Sequence, residues 1–91
     1  GTRFSAKLVV IHVAQTSSEN TKVAFAVGKN VGNSVVRHKV TRQLRHAITP
    51  LLNNFPVGSH VVVRALPGAS QASFTQLSEN LKFATSKVTA L

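Results

Sequence analysis

This chain of 91 residues contains no cysteine, methionine, tryptophan or tyrosine, and it has only two acidic side chains, Glu19 and Glu79. Without cysteine it has no disulfide framework, thiolate nucleophile or thiolate metal site, which fits a reducing compartment and predicts a cytoplasmic protein. No apolar run reaches the ~18 residues that a membrane-spanning helix requires. The chain also does not open with a charged leader and an apolar stretch, so we expect neither a signal peptide nor a membrane partner.

The shortage of acid also limits the chemistry that the side chains can support. The two glutamates lie in a predicted loop and on a predicted helix, without acidic neighbours, and are most simply solvated surface charges. Four histidines are present: His12, His38, His46 and His60. The two helical ones are eight residues apart, ~12 Å by helical rise, which is too far to share one phosphorus atom. The other two sit in apolar strands, facing a groove or the core. We therefore predict no catalytic residue, and no spacing typical of a protein-held metal is present.

Positive charge dominates what remains. Eleven lysines and arginines give a formal net charge of +9 and a pI near 11.9, while 43% of the residues are hydrophobic. That apolar fraction is ordinary for a globular protein and excludes a disordered basic tail. The length suits one domain, residues 1–91, with a single modest core. A nucleic acid is the expected partner for this charge; an anionic membrane surface ranks second as a candidate and is not the partner that we predict.

Hydrophobic patterning predicts the element order ββαβα, an α+β two-layer sandwich with helices packed on a sheet. The predicted strands cover residues 6–14, 22–29 and 60–66, and the first two are joined by a polar hairpin loop at 15–21. A basic helix begins near Ser34, and a second helix begins at Ser73, which forms a capping-box pattern with Gln76. The last helix has one apolar stripe: Phe74, Leu77, Leu81, Ala84 and Val88.

The basic helix is the segment around which the chain is organised. A glycine-containing loop opens it, Asn33 or Ser34 is the natural N-cap, and Pro50 closes it. On a 3.6-residue period, one face is apolar: Val36, Val40, Leu44, Ala47, Ile48 and Leu51. The other face holds Arg37, His38, Thr41, Arg42, Arg45 and His46, without any acidic residue between them. Exposed helix faces normally mix signs, so this face predicts binding to a polyanion.

The second predicted strand alternates between large and small side chains. Val23, Phe25 and Val27 share one face, and the small residues Ala24, Ala26 and Gly28 share the other. Small residues on a strand leave room for a ligand to approach.

The stretch G-K-N-V-G-N-S-V-V-R-H-K-V-T-R-Q-L-R-H resembles the basic signature of the bacterial ribonuclease P protein subunit, roughly K-x-x-G-x-A-V-x-R-N-x-x-K-R-x-x-R. The matching positions are Lys29, Gly32, Val35, Arg37, Arg42 and Arg45, and Asn33 fits the residue usually found after the glycine. Ser34 replaces alanine, His38 replaces asparagine and Thr41 replaces lysine. The segments V-V-V-R-A-L-P-G-A-S and S-F-T-Q-L-S-E-N-L are also similar to this family, so the resemblance covers nearly the whole chain.

The resemblance implies a fold like the second domain of ribosomal protein S5, with a left-handed βαβ crossover where general rules favour a right-handed one. It implies that a ribonuclease P RNA, with Mg²⁺ and no organic cofactor, removes 5′ leaders from precursor tRNA. The protein would bind that RNA and hold the leader in a cleft between the basic helix and the sheet, lined by Phe25 and Val27 or by the small residues of that strand. No obligate protein partner is implied. The expected RNA contacts are Lys29, Asn33, Arg37, His38, Lys39, Thr41, Arg42, Arg45 and His46. The family usually starts with an N-terminal helix, and from the resemblance we expect residue 1 to lie after that helix.

Three other functions remain open at this point. One is a ribosomal-type or chaperone-like RNA-binding domain with no part in cleavage. Another is a DNA-binding domain, although no short helix precedes the basic helix as a helix-turn-helix requires. A self-sufficient ribonuclease would need clustered acid or paired histidines.

Overall fold

The computed structural model describes residues 2–16 and 19–89. The elements follow in the order β1 (Thr2–Ser5), β2 (Val9–Gln15), β3 (Lys22–Ala26), α1 (Ser34–Ile48), β4 (Ser59–Ala65) and α2 (Phe74–Thr89). Two 3₁₀ helices, Thr49–Asn54 and Pro67–Gln71, flank β4 along the chain.

The four strands form one sheet in the order β1-β2-β4-β3. β2 pairs antiparallel with both β1 and β4, and β3 pairs parallel with β4. The α+β class is therefore confirmed, with α1 in the crossover between two parallel strands. The left hand of that crossover stays an implication of the family resemblance. The additional strand, β1, was not predicted, because only Phe4 of its four residues is buried and the sequence T-R-F-S has no clear alternation.

The predicted hairpin between the second and third strands is wrong. Gln15 and Lys22 do not pair with each other; each lies beside β4, Gln15 opposite Ser59 and Lys22 opposite His60. β4 takes the central position because it can bury one complete face. Ser59, Val61, Val63 and Ala65 are all buried, whereas the alternate residues are exposed.

One side of the sheet carries the hydrophobic core. Both helices contribute to the same cluster of buried side chains as β2 and β4. Its fully buried members include Ile11, Leu44, Val63, Leu77 and Leu81. Because the alternate residues of β4 are exposed, the opposite side of the sheet is open. The result is a two-layer arrangement in which the helices cover one face of the sheet and the other face is open.

The helix ends depart in part from the sequence prediction. The Ser73–Gln76 capping box is confirmed, since the Ser73 N–H donates to Gln76 Oε1 at 2.9 Å and the Gln76 N–H donates to Ser73 Oγ at 3.2 Å. Phe74 is 45% exposed and does not join the buried stripe of α2. α1 ends at Ile48, so Leu51 is buried from the following 3₁₀ helix. Within residues 2–16 and 19–89, neither helix has the length and apolar character needed to cross a membrane.

Candidate nucleic-acid interface

The loop from β3 to α1 sets the start of the basic helix. Val31 is buried and anchors the loop, and its N–H donates to the Gly28 carbonyl at 3.0 Å. Asn33 is the N-cap, as predicted, because its Oδ1 accepts from the Val36 N–H at 3.0 Å. At Gly32 a Cβ atom would lie 2.7 Å from Val36 Cγ1, so only glycine lets the loop approach this closely. The loop therefore fixes the direction in which α1 leaves the sheet.

α1 separates its apolar and cationic sides as predicted. Val40, Leu44, Ala47 and Ile48 are buried. The other side exposes a set of charged or polar side chains, His38, Lys39, Arg42, Arg45 and His46, while Arg37 and Thr41 are half-buried. The first turn has no acidic residue to offset the positive end of the helix dipole. The positive charge on the exposed side of α1 is therefore not balanced within the helix, and it favours the binding of an anion there.

A groove lies along this cationic side, where α1 passes the end of β3. Its lining consists of Val27, Ser34, Arg37, His38, Thr41, Arg42 and Arg45. Thr41 donates its hydroxyl hydrogen to the Arg37 carbonyl at 2.8 Å. The Nε atom of Arg37 is buried and has no hydrogen-bond partner among the described residues. A buried unpaired donor is costly, so the position of the Arg37 side chain costs the protein the energy of one hydrogen bond.

The structure brings five of the nine predicted RNA contacts together in this groove: Arg37, His38, Thr41, Arg42 and Arg45. The other four are placed differently. Lys29 is exposed in the loop, Asn33 caps the helix, and Lys39 and His46 are exposed on α1 outside the groove lining. The predicted set therefore divides into a groove and a surrounding cationic surface.

The two predicted leader contacts lie on the helix side of the sheet. Val27 lines the groove, and the guanidinium carbon of Arg45 is 5.6 Å from the centre of the Phe25 ring. Both side chains are half-buried against the core. The aromatic ring holds a cation at the groove edge, a contact that the sequence pattern did not reveal.

A second cationic cluster lies on the open face of the sheet. Arg3 pairs with His12 across β1 and β2, and His60 and Arg64 occupy alternate exposed positions of β4. His60 is also opposite Lys22 of β3. Because paired residues share a face, the four strands combine these side chains with the small residues Ala24 and Ala26. The alternation of β4 was visible in the sequence, but the contributions of the other strands depend on the register.

The described residues do not bring together side chains that could hold a metal ion. Residues 2–16 and 19–89 contain no group of three or more histidine, cysteine, aspartate or glutamate side chains close enough to hold an ion.

Comparison with known proteins shows relatives by both sequence and fold. The chain matches the family described as Ribonuclease P over residues 1–89. It is 40% identical over 86 residues to the ribonuclease P protein component of Mycobacterium sp. (strain KMS), covering 92% of this chain and 73% of that protein. The component from Corynebacterium diphtheriae is 41% identical over 95 residues, covering 97% and 80%.

Two solved structures share the fold at low sequence identity. The RNase P protein of Staphylococcus aureus superposes with a TM-score of 0.83 at 20% identity, covering 97% of this chain and 83% of that one. The RNase P protein of Thermotoga maritima superposes with a TM-score of 0.81 at 17% identity, covering 100% and 84%.

Proposed function

Because this chain belongs to the ribonuclease P protein family, we propose that it is the RNA-binding subunit of a ribonuclease P ribonucleoprotein. Its relatives are named as protein components of that endoribonuclease, which acts in tRNA processing. In this role the protein binds the RNA subunit and the 5′ leader of precursor tRNA and assists removal of the leader. The observation that carries the proposal is the uncompensated cationic side of α1.

The α1 surface suits folded RNA for a physical reason. Its cations stand on consecutive turns, so several phosphates can be neutralised along one line. Phosphate contacts of this kind position a partner without reading its bases, and a compact RNA offers a dense phosphate surface. Arg42 and Arg45 are exposed and line the groove, which makes them the central contacts of this interface.

We assign the 5′ leader to the open face of the sheet. A single strand needs a surface that is both cationic and uncovered, and this face carries Arg3 and Arg64 beside the small residues Ala24 and Ala26. The helix side of β3, with Phe25 and Val27, is largely filled by the core, so it has room only along the groove beside α1. Leader and RNA subunit would then contact two surfaces that meet at β3.

Hydrolysis, in this proposal, belongs to the RNA subunit with Mg²⁺, and the protein lowers the electrostatic cost of bringing two polyanions together. Each phosphate that the protein neutralises releases condensed counterions and reduces repulsion between enzyme RNA and substrate. The benefit should be largest at low Mg²⁺, where the metal screens the phosphates least.

Reconstitution tests this proposal. The protein is mixed with a bacterial ribonuclease P RNA and labelled precursor tRNA at low Mg²⁺, and cleavage of the 5′ leader is compared with that by RNA alone. We expect strong stimulation that the Arg42→Ala, Arg45→Ala double variant loses and that Lys82→Ala, which removes an exposed cation of α2, retains. Tight RNA binding without any stimulation would instead indicate a ribosomal-type or chaperone-like RNA-binding protein.

A further inference from the structure

β1 lies at the edge of the sheet, and its outer edge is open. In the strand order β1-β2-β4-β3, no strand among the described residues lies beyond β1. The Ala6 N–H donates to the Val9 carbonyl of β2 at 2.8 Å. Because backbone groups of an antiparallel strand point alternately toward and away from the partner, Phe4, two residues earlier, also faces β2. Arg3 and Ser5 therefore direct their N–H and C=O groups away from the sheet.

An exposed aromatic side chain stands beside this outer edge. α2 packs against β1 and β2, and its Phe83 is 57% exposed. Lys87 connects the helix to the edge, because its Nζ atom lies 4.5 Å from the centre of the Phe83 ring and donates to the Ser5 carbonyl at 2.7 Å. The fold leaves most of the Phe83 side chain uncovered. A strand added beside β1 would bury it.

The charge around this edge is mostly positive. Arg3 is exposed on β1, and Lys82 and Lys87 are exposed on α2. The Lys87 ammonium has donors left over after its bond to the Ser5 carbonyl. Glu79 is the only acidic side chain of α2. A second copy of this chain, with a net charge of +9, would be repelled from this surface, whereas an acidic partner would be attracted to it.

We propose that the outer edge of β1 binds an extended acidic segment of another protein, which adds to the sheet as a further strand. Backbone donors and acceptors alternate along this edge, so they match a peptide strand, whereas the carbonyl groups would repel the phosphates of an RNA. Side chains of the added strand alternate between the two faces of the sheet. Those on the helix side cover Phe83, and those on the open side meet Arg3. The matching segment therefore alternates apolar and acidic residues.

NMR spectroscopy of the full chain with a blocked hexapeptide that alternates valine and glutamate tests the proposal. The amides of Arg3 and Ser5 should exchange with water about tenfold more slowly at a peptide concentration ten times its Kd, because bound peptide supplies their acceptors. The Phe4 amide already bonds to β2, so its exchange should be slow both with and without peptide.

Phe83 and Phe74 provide a matched pair of exposed aromatic residues on α2. Phe74 is 45% exposed and lies ~13 Å from Phe83 by helical rise. Phe83→Ala should weaken peptide binding by roughly 5- to 30-fold, the range for truncating an aromatic anchor, and Phe74→Ala should leave it unchanged. Both variants should bind RNA like the wild type, because neither residue belongs to the α1 surface.

Two altered peptides test the charge and the backbone contacts separately. A peptide with lysine in place of glutamate should bind at least about tenfold more weakly, because like charges then face each other. A peptide with proline in place of valine lacks backbone N–H groups and should not bind measurably.

Three results would overturn the proposal. One is rapid exchange of the Arg3 and Ser5 amides that persists at millimolar peptide, and another is equal binding of the glutamate and lysine peptides. The third is a Phe83→Ala variant that loses RNA affinity or a concentration-dependent dimer, because a nucleic acid or a second copy would then occupy the edge. The altered peptides decide the question if the thermal midpoint shows that Phe83→Ala does not fold. The proposed function is measured separately, by reconstitution with the RNA subunit, and does not depend on this edge.

Discussion

Substitution of Arg42 or Arg45 should weaken RNA binding while changing the stability of the fold very little. Both are exposed, and Arg45 also contacts an aromatic ring, since its guanidinium carbon lies 5.6 Å from the centre of the Phe25 ring. We expect Arg42→Ala and Arg45→Ala each to weaken RNA binding and to make the slope of log affinity against log salt less negative by about 0.7–0.9. The free energy of unfolding should fall by about 1 kcal/mol at most in Arg45→Ala, the value of an exposed cation–π contact.

Titration of RNA at several salt concentrations, together with thermal unfolding, checks this prediction. Lys82→Ala is the control, because it removes an exposed cation from α2, away from the groove. A large drop in thermal midpoint for Arg42→Ala would mean that the arginine supports the fold rather than the interface.

The location of a side chain could be predicted where it depends on a single helix or strand. The arginines of α1 could be placed from helical periodicity alone, because residues three and four apart share a face. The contact between Phe25 and Arg45 could not, since it joins a strand and a helix separated by a loop. The cluster containing Arg3 and His12 was missed for a similar reason: it depends on the pairing of two strands. Local patterns carry no information about register across a sheet.

At the scale of the element, the N-terminus of α1 combines a cap with unusual electrostatics. Asn33 caps the helix, but the first turn carries no acidic residue and is followed by Arg37 and Lys39. Asn33→Asp keeps an oxygen for the Val36 N–H and places negative charge at the positive end of the helix dipole. We expect the free energy of unfolding to rise by about 0.3–1 kcal/mol, and RNA affinity to fall because the new charge repels phosphate.

Chemical denaturation and RNA titration of Asn33→Asp and Asn33→Ala measure the two effects. The alanine variant removes the cap without adding charge, so it should lose about 1 kcal/mol of stability and retain most of its RNA affinity. Tighter RNA binding by Asn33→Asp would show that the helix N-terminus does not face phosphate.

A helix or strand could be predicted from the sequence where its buried side chains recur with a clear helical or strand period. α1, α2 and β4 have clear periodicity, and their apolar faces are buried as that periodicity requires, except for Phe74 at the start of α2. β1 has four residues with one buried side chain, which is too short a pattern to distinguish from a loop. The hairpin prediction failed because neighbouring strands in sequence usually pair, whereas here β4 buries a full face and takes the central position between β2 and β3.

The fold can carry a large net positive charge because the charged side chains lie outside the core. The formal net charge is +9, and among the described residues the only polar or charged ones that are buried are the neutral Ser59 and Thr85. Cations therefore crowd two surfaces, α1 and the open sheet face, where they repel one another and weaken the compact state. A partner that neutralises them should stabilise the protein as well as bind to it.

Sulfate should reproduce this stabilisation in the absence of RNA. An anion that binds only the folded state raises the free energy of unfolding by RT ln(1 + [L]/Kd), about 2.7 kcal/mol when its concentration is 100 times its Kd. We therefore expect the thermal midpoint to rise with sulfate and to rise less with chloride at equal ionic strength. Sulfate also stabilises folded proteins generally, because it is excluded from their surfaces. The Arg42→Ala, Arg45→Ala double variant separates the two effects, since it should keep the general increase and lose the saturable part that α1 contributes. If wild type and double variant show the same sulfate dependence, the cationic side of α1 is not an anion site in the unbound protein.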